Sequence, residues 1–303
     1  METQATNVAE IPGKPPLQQS RFIRVLRAVL RKKTAFFGGF VLGLFVLIAI
    51  LAPVLVPHDP SQQNLKLRLA PPIGLGLENA SIEYPLGNDN LGRDVFSRLI
   101  VGSRVSLVVG VITVVLTTLL GSMLGAMAGY YRGSFDNVVM RLVDTWMAFP
   151  DLLLAIAFAA ALGPGLFNLI VALALTNWVV YCRVVRAEVL VLREQEYVLA
   201  ARSLGGSNMR IIIQHILPNV LSSILVIATL QFGTVIVTEA SMSFLGISVQ
   251  SSVPTWGGML ADGREFMRQA WWLATFPGIA ISIVVLSANL LGDGLRDALD
   301  PRL

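Results

Sequence analysis

Charge is scarce in this chain. Asp, Glu, Lys and Arg make up 14% of its 303 residues, against roughly 25% in an ordinary soluble domain. With 54% hydrophobic residues and a mean hydropathy of +0.69, the chain has too little polar surface to coat a water-facing globule. The membrane class follows before any motif is read. Cysteine is nearly absent as well. Cys182 stands alone inside an apolar run, which excludes an intrachain disulfide and a cysteine metal site. The two histidines, His58 and His215, lie far apart without ligand-like spacing, so no metal site is expected. There is no G-x-x-x-x-G-K-[ST] phosphate loop, so the chain does not bind ATP by that device. Internal repeats of 20–50 residues and low-complexity tracts are also lacking.

Long apolar runs are what is there. A bilayer core of about 30 Å needs about 20 helical residues to cross. Residues 34–56 and 105–131 carry no charge and are spans one and two. The apolar stretch 152–182 is cut by Leu162-Gly163-Pro164-Gly165, a tight-turn signal, so two spans share that region, 143–162 and 166–185. Residues 219–245 and 270–292 are spans five and six. The fold class is therefore an all-α integral membrane protein with six transmembrane helices. Such uninterrupted runs are not the alternating pattern of a β-barrel. Residues 1–33 are too long and polar for a signal-peptide n-region, and the run after them is too long for an h-region. They read as a basic segment ahead of a retained first span, with the six-span body at 34–303.

Six spans place both termini on one side. Roughly two thirds of the 23 Lys and Arg fall on the N-terminal side, which the positive-inside rule assigns to the cytoplasm. The loop 57–104 holds five basic residues outside, but also the acids Asp59, Glu78, Glu83, Asp89 and Asp94. Within it, Asp89, Arg93, Asp94 and Arg98 cluster, either as an internal ion network or as a docking surface. Trp256, Trp271 and Trp272 fit an outer aromatic belt. Asp293, Arg296, Asp297 and Asp300 are expected to tie the inner tail to the inner loops.

The large inner loop is polar where its neighbours are not. Glu196 to Leu204 is rich in helix formers, and Ala200 and Ala201 form a small, smooth patch beside Arg202. Gly205-Gly206 breaks the helix, and Ser207 or Asn208 can cap the next one. Met209 to Leu217 reads as a second helix that Pro218 stops. The pattern alone leaves two readings: an idle interfacial segment, or an elbow that fits a cleft on a soluble protein.

The spacing Leu199-Ala200-Ala201, three residues, Gly205, nine residues, His215-Ile216-Leu217-Pro218 resembles the EAA loop of ABC-importer permeases. Leu199 and His215 replace that motif's Glu and Ile. The resemblance covers most of the chain: LGNDNLGRDVFSRLIVGSRVSL at 86–107, RLVDTWMAFPDLLLAIA at 141–157, EASMSFLGISVQSSVPTWGGML at 239–260 and GDGLRDALDPRL at 292–303. These strings are similar to the C-type permease subunits of dipeptide and oligopeptide importers. The resemblance implies a non-catalytic subunit in the bacterial plasma (inner) membrane, forming half of a peptide translocation path. It implies one or two ABC ATPase subunits docking on 196–218, and these would bind ATP and Mg; this chain itself would bind no cofactor. It also implies a second permease subunit in a heterodimer and an extracytoplasmic substrate-binding protein. The lipid bilayer is a further partner; nucleic acid is not expected. Nickel, glutathione or another small solute is the alternative cargo.

Ionisable residues inside spans are costly and mark paths or partners. Asp144 and Asp151, seven apart, share one face if span three is a continuous helix. Asp144 reads as pairing with Arg141. Asp151, about 12 Å into the span, lines the path or a subunit interface, and Pro150 kinks the helix before it. Glu239 falls near an outer gate. A proton-coupled transporter using Asp151 and Glu239 is the rival from another class, but it usually carries an internal repeat. An intramembrane enzyme would need a nucleophile–base pair or ligand set that the sequence does not supply.

Overall fold

The structure is a computed structural model describing residues 32–74, 81–247 and 253–299. The N-terminal basic segment up to Arg31, Glu78, Ser251-Ser252, Asp300 and Arg302 lie outside the described residues.

Each charge-free run becomes a helix, because inside a bilayer only intrahelical bonds can satisfy the backbone. Helix α1 is Lys33–Leu55, α2 is Val95–Tyr131, α5 is Leu166–Leu192 and α10 is Trp272–Leu299. Between them lie α3, Gly133–Met147, and α4, Asp151–Leu162. The elbow helix α6 is Glu196–Ser203. It is followed by α7, Asn208–Ile211, a π turn over Ile212–Ile216, and α8, Leu217–Phe244. A short outer helix, α9, is Trp256–Arg264. Among the described residues, five helical segments are long and apolar enough to cross a membrane, with Asn208–Phe244 counted as one.

Span three departs from the expected continuous helix. Helices α3 and α4 meet at 97°. Pro150 has no N–H to give and its ring blocks the preceding turn, so α4 starts afresh at Asp151. Neither piece can cross alone: α4, with 12 residues, is about 18 Å long. Asp144 and Asp151 therefore do not share a helix face, and Asp151 sits at a helix start rather than deep within one.

The chain nevertheless returns from one end of the bundle to the other there, as the packing of α2 on α5 requires. In α2, Gly121 faces the Trp178 carbonyl, Gly125 that of Cys182 and Gly129 that of Arg186. A Cβ at these glycines would lie 2.2, 2.4 and 2.8 Å from those oxygens. Small residues every fourth position let two membrane helices touch at the backbone. Both sets of numbers rise together, so α2 and α5 run parallel. Between two parallel helices the chain must return across the layer, and α3 with α4 carries it. Helix α10 is antiparallel to α8, with Thr229 by Gly292 and Val285 by Gly233, and to α1, with Ala35 by Gly294 and Gly38 by the Ser287 carbonyl. Gly110 of α2 meets Phe232 and Ile236 of α8. The described ends converge on the side of the elbow: Lys32 pairs with Asp297, and Arg296 lines one cleft with Ser222 and Glu188.

The opposite side is capped by residues 57–74 and 81–94 and by α9. Asp94 starts α2 by accepting from the backbone N–H of Phe96 and Ser97, each at 3.1 Å. Asp89 lies 2.6 Å from Arg93 and 3.5 Å from Arg98. Asp262 of α9 faces both arginines at 3.6 and 3.8 Å. His58 stacks on Tyr84 and lies 3.3 Å from Asp94. The clustered charges of 87–98 are thus engaged within the chain. The aromatic-belt expectation fails for two of its three residues. Trp256 and Trp272 are buried, and their indole N–H groups donate to the Leu99 and Asn88 carbonyls at 3.0 and 3.4 Å. Only Trp271 stays exposed.

Candidate functional site

The elbow is built with one packed side and one open side. Val198 of α6, Ile211 of α7, Ile212 and Ile216 of the π turn and Val220 of α8 form a cluster with Ala126, Tyr130, Val185 and Val189. This seats the elbow on the ends of α2 and α5. Glu196, Leu199, Ala200, Arg202, Leu204 and Met209 are exposed. Leu204 is 88% exposed and is the outermost apolar point of the loop.

The break falls where expected. Leu204 ends α6, and Gly205 turns the chain with φ of +81°, a left-handed conformation costly to any residue with a Cβ. A Cβ at Gly205 would meet nothing within 4 Å, whereas one at Gly206 would lie 2.9 Å from the Ala201 carbonyl. The first turn faces outward and the second is pressed against α6. Ala201 is half-buried and packs on the apolar cluster, so only Ala200 of the alanine pair belongs to the open face.

Two expectations about this loop change. Ser207 occupies the cap position of α7, but its side chain makes no capping bond. The Asn208 side chain instead accepts from the Tyr130 hydroxyl at 3.0 Å. Pro218 does not end the second helix. It sits in the first turn of α8, where a missing N–H is tolerated. The π turn before it widens the ladder where the proline ring would meet the preceding turn. The elbow therefore runs into α8 without a stop.

The sequence reading missed the residues that hold the elbow. Tyr130, 4% exposed, has two guanidiniums against its ring: Arg202 at 5.3 Å and Arg193 at 6.0 Å from the ring centre. Arg193 also donates to the Tyr130 carbonyl. The one available signal was an aromatic pair, Tyr130-Tyr131, at the inner end of span two.

The intramembrane acids are not brought together. Asp144 is exposed and accepts from Arg183 of α5 at 2.8 Å, not from Arg141. Asp151 is exposed and makes no ion pair among the described residues. Glu239 of α8 is 1% exposed. One of its oxygens accepts from Ser243 at 2.9 Å, and its carboxyl lies beside the Thr255 hydroxyl. It is packed under the outer cap rather than open to a path. Asp136 of α3, unremarked in the sequence, accepts from Arg186 of α5 on both carboxylate oxygens, one from Nε and one from Nη2. An open cleft of about 530 Å³ lies between α4, α8, α9 and α10. Its lining is apolar with two hydroxyls: Leu152, Val237, Ala240, Ser241, Leu260 and Ser282 are among its residues.

Comparison with known proteins gives the following. Residues 121–303 match the model of the family described as binding-protein-dependent transport system inner membrane component. Residues 20–72 match the N-terminal transmembrane domain of oligopeptide transport permease C. The dipeptide transport system permease protein DppC of Alkalihalophilus pseudofirmus is 42% identical over 297 residues, 96% of this chain and 95% of that protein. The di/tripeptide transport system permease protein DppC of Pseudomonas aeruginosa is 42% identical over 89% of both chains. The glutathione transport system permease protein GsiD of Escherichia coli is 41% identical over 96% of this chain and 93% of that one.

Proposed function

This chain belongs to the inner-membrane components of binding-protein-dependent transport systems, and from that membership we propose that it imports peptides as one half of an ATP-driven translocation path. It is a multi-pass inner-membrane permease subunit. Peptides are the proposed cargo because two of the relatives are named for dipeptide and di/tripeptide transport. The equally similar glutathione permease makes glutathione the second reading. Uptake of a labelled dipeptide against labelled glutathione by the assembled transporter separates the two.

The observation that carries the mechanism is the two-sided elbow. Its inner face is locked to α2, α5 and α8, and its outer face offers Glu196, Ala200, Arg202, Leu204 and Gly205. Such a surface suits the cleft of a soluble partner. ATPase subunits, one or two in kind, bind there and hold the ATP and Mg, and this chain hydrolyses nothing itself. Gly206, Ser207 and Asn208 shape the turn behind that face. The elbow side is the cytoplasmic side, with the basic segment 1–33 and both termini. A second permease subunit completes the path, and a substrate-binding protein docks on the cap formed by 57–74, 81–94 and α9. Nucleotide-driven closure of the ATPases shifts the populations of inward- and outward-open states by moving the elbow. Asp144 and Asp151, being exposed, remain candidates for the path surface; buried Glu239 holds the cap side of α8.

Leu204→Asp and Gly205→Trp test the docking face. Both positions face open space; Leu204→Asp leaves the backbone unstrained, whereas Gly205→Trp also strains the left-handed turn, so its effect is read against its melting temperature. The expected outcome is loss of ATPase co-purification and of substrate-stimulated hydrolysis. Intact association with normal coupled hydrolysis in both variants would overturn the docking reading.

A further inference from the structure

A docking elbow moves a membrane protein only if something links it to the spans. Two of the links are covalent: α5 leads into the elbow and α8 leads out of it. The third crossing that reaches this side, α2, has no chain connection to 196–216. It is bound to α5 by backbone-level contacts at Gly121, Gly125 and Gly129, so α2 and α5 move as one body. Among the described residues, one side-chain hydrogen bond joins α2 to residues 196–216, that from Tyr130 to Asn208.

We propose that Tyr130 is the transmission pin between the elbow and the α2–α5 pair, a positioning residue that sets how much elbow movement becomes movement of the spans. This rests on the elbow being the ATPase-docking site. Tyr130 follows Gly129, the last of the close-packed glycines, so its backbone is fixed by α5. Its ring meets the guanidiniums of Arg193, at the end of α5, and Arg202 of α6. Its hydroxyl reaches α7. One side chain thus touches the C-terminal end of α5, the elbow helix α6 and the first residue of α7. A tilt of α6 cannot leave Tyr130 behind without breaking a hydrogen bond and drawing a guanidinium off the ring face. Both contacts are directional, unlike the apolar cluster around them, which tolerates sliding. In variants lacking them, the ATPases would still dock and the elbow would still move, but α2 and α5 would follow it less.

The test uses the complete transporter, with its ATPases, second permease subunit and binding protein, reconstituted in lipid vesicles. Three quantities are read: ATPase co-purification, hydrolysis rate and substrate taken up per ATP. Tyr130→Phe removes only the hydroxyl and keeps the ring and the fold. Uptake per ATP should drop about fivefold, the ratio set by one hydrogen bond of about 1 kcal/mol. Asn208→Leu should give the same drop, and the double variant no more than either. Tyr130→Leu also removes the ring, and the drop should reach about tenfold or more. Co-purification and hydrolysis should stay at wild-type levels throughout. Unchanged uptake per ATP in Tyr130→Phe and Tyr130→Leu would overturn the pin. So would loss of the ATPases in Tyr130→Phe, because Tyr130 would then shape the docking face itself. Failure of the docking reading shows separately, as intact ATPase association in Leu204→Asp and Gly205→Trp.

Discussion

A single methyl group at Gly125 tests the parallel helix pair on which the topology stands. An alanine Cβ at Gly125 would lie 2.4 Å from the Cys182 carbonyl oxygen and 3.0 Å from its Cα. Those atoms are backbone and cannot rotate aside. Ordinary contact begins near 3.4 Å, so the helix axes must part by about an ångström at this point. Forcing extra volume into a close-packed contact costs about 1–3 kcal/mol. Alanine returns about 0.5–1 kcal/mol of helix propensity over glycine. The net loss is about 1–2 kcal/mol. At about 2–4 °C per kcal/mol for a chain near this size, the Tm falls by roughly 5 °C. Gly121→Ala, whose Cβ would lie 2.2 Å from the Trp178 carbonyl, should do at least as much. The double variant should be non-additive, since both sites open one interface. Gly43→Ala is the control. It is a helical glycine of α1 whose Cβ meets nothing within 4 Å, and its Tm should hold or rise. The assay is thermal unfolding of the purified complex in one detergent. If Gly125→Ala and Gly43→Ala melt together, α2 and α5 do not approach as the register requires, and the inferred return crossing loses its support.

Two further outcomes follow from charge. Arg186→Met leaves Asp136 buried without its partner, and stability should fall by about 3–5 kcal/mol; adding Asp136→Leu should restore most of it, measured as Tm and membrane level, and a single variant no worse than the double would refute the pairing. Burial raises the Asp262 carboxyl above the ordinary carboxylate value, while Arg98 and Arg93 pull it down. An acid raised in the folded state holds its proton more tightly there, so its contribution favours folding at low pH and is lost as pH climbs from about 4 through the raised value. The Tm of the native chain minus that of Asp262→Asn should therefore decline across that window, and a difference that grows with pH would reverse the assignment.

The charge-free runs made the spans legible, because twenty apolar residues in a row have one solution in a bilayer. The bend in span three was not legible in the same way. Hydropathy averages across Phe149-Pro150-Asp151 and sees one stretch. The proline was visible, but only packing decides between a kinked helix and two helices at 97°. Seven-residue spacing then misled, since Asp144 and Asp151 share a face only on an unbroken helix. Trp256 shows a different gap. Its apolar body and single donor fit an interface belt, yet Gly102 leaves room for it inside, and the Leu99 carbonyl takes its N–H. In the elbow, the Gly205 break was readable because few residues accept a positive φ. The contacts of Tyr130 were not, because its partners lie 63 to 78 residues away.

The parallel register also explains why the elbow sits where it does. An antiparallel neighbour of α5 would begin, not end, beside the elbow, and its inner residues would be a helix start with free N–H groups. Because α2 runs with α5, it brings a C-terminal end there, whose unpaired carbonyls and negative dipole end favour cations. Arg193 donating to the Tyr130 carbonyl is that preference satisfied. Arg202 over the same ring adds a second cation from the elbow helix. These two arginines ahead of the break thus serve the end of α2 as much as the inner-side charge bias. Replacing either by a neutral residue should loosen the elbow from α2 before it disturbs any span.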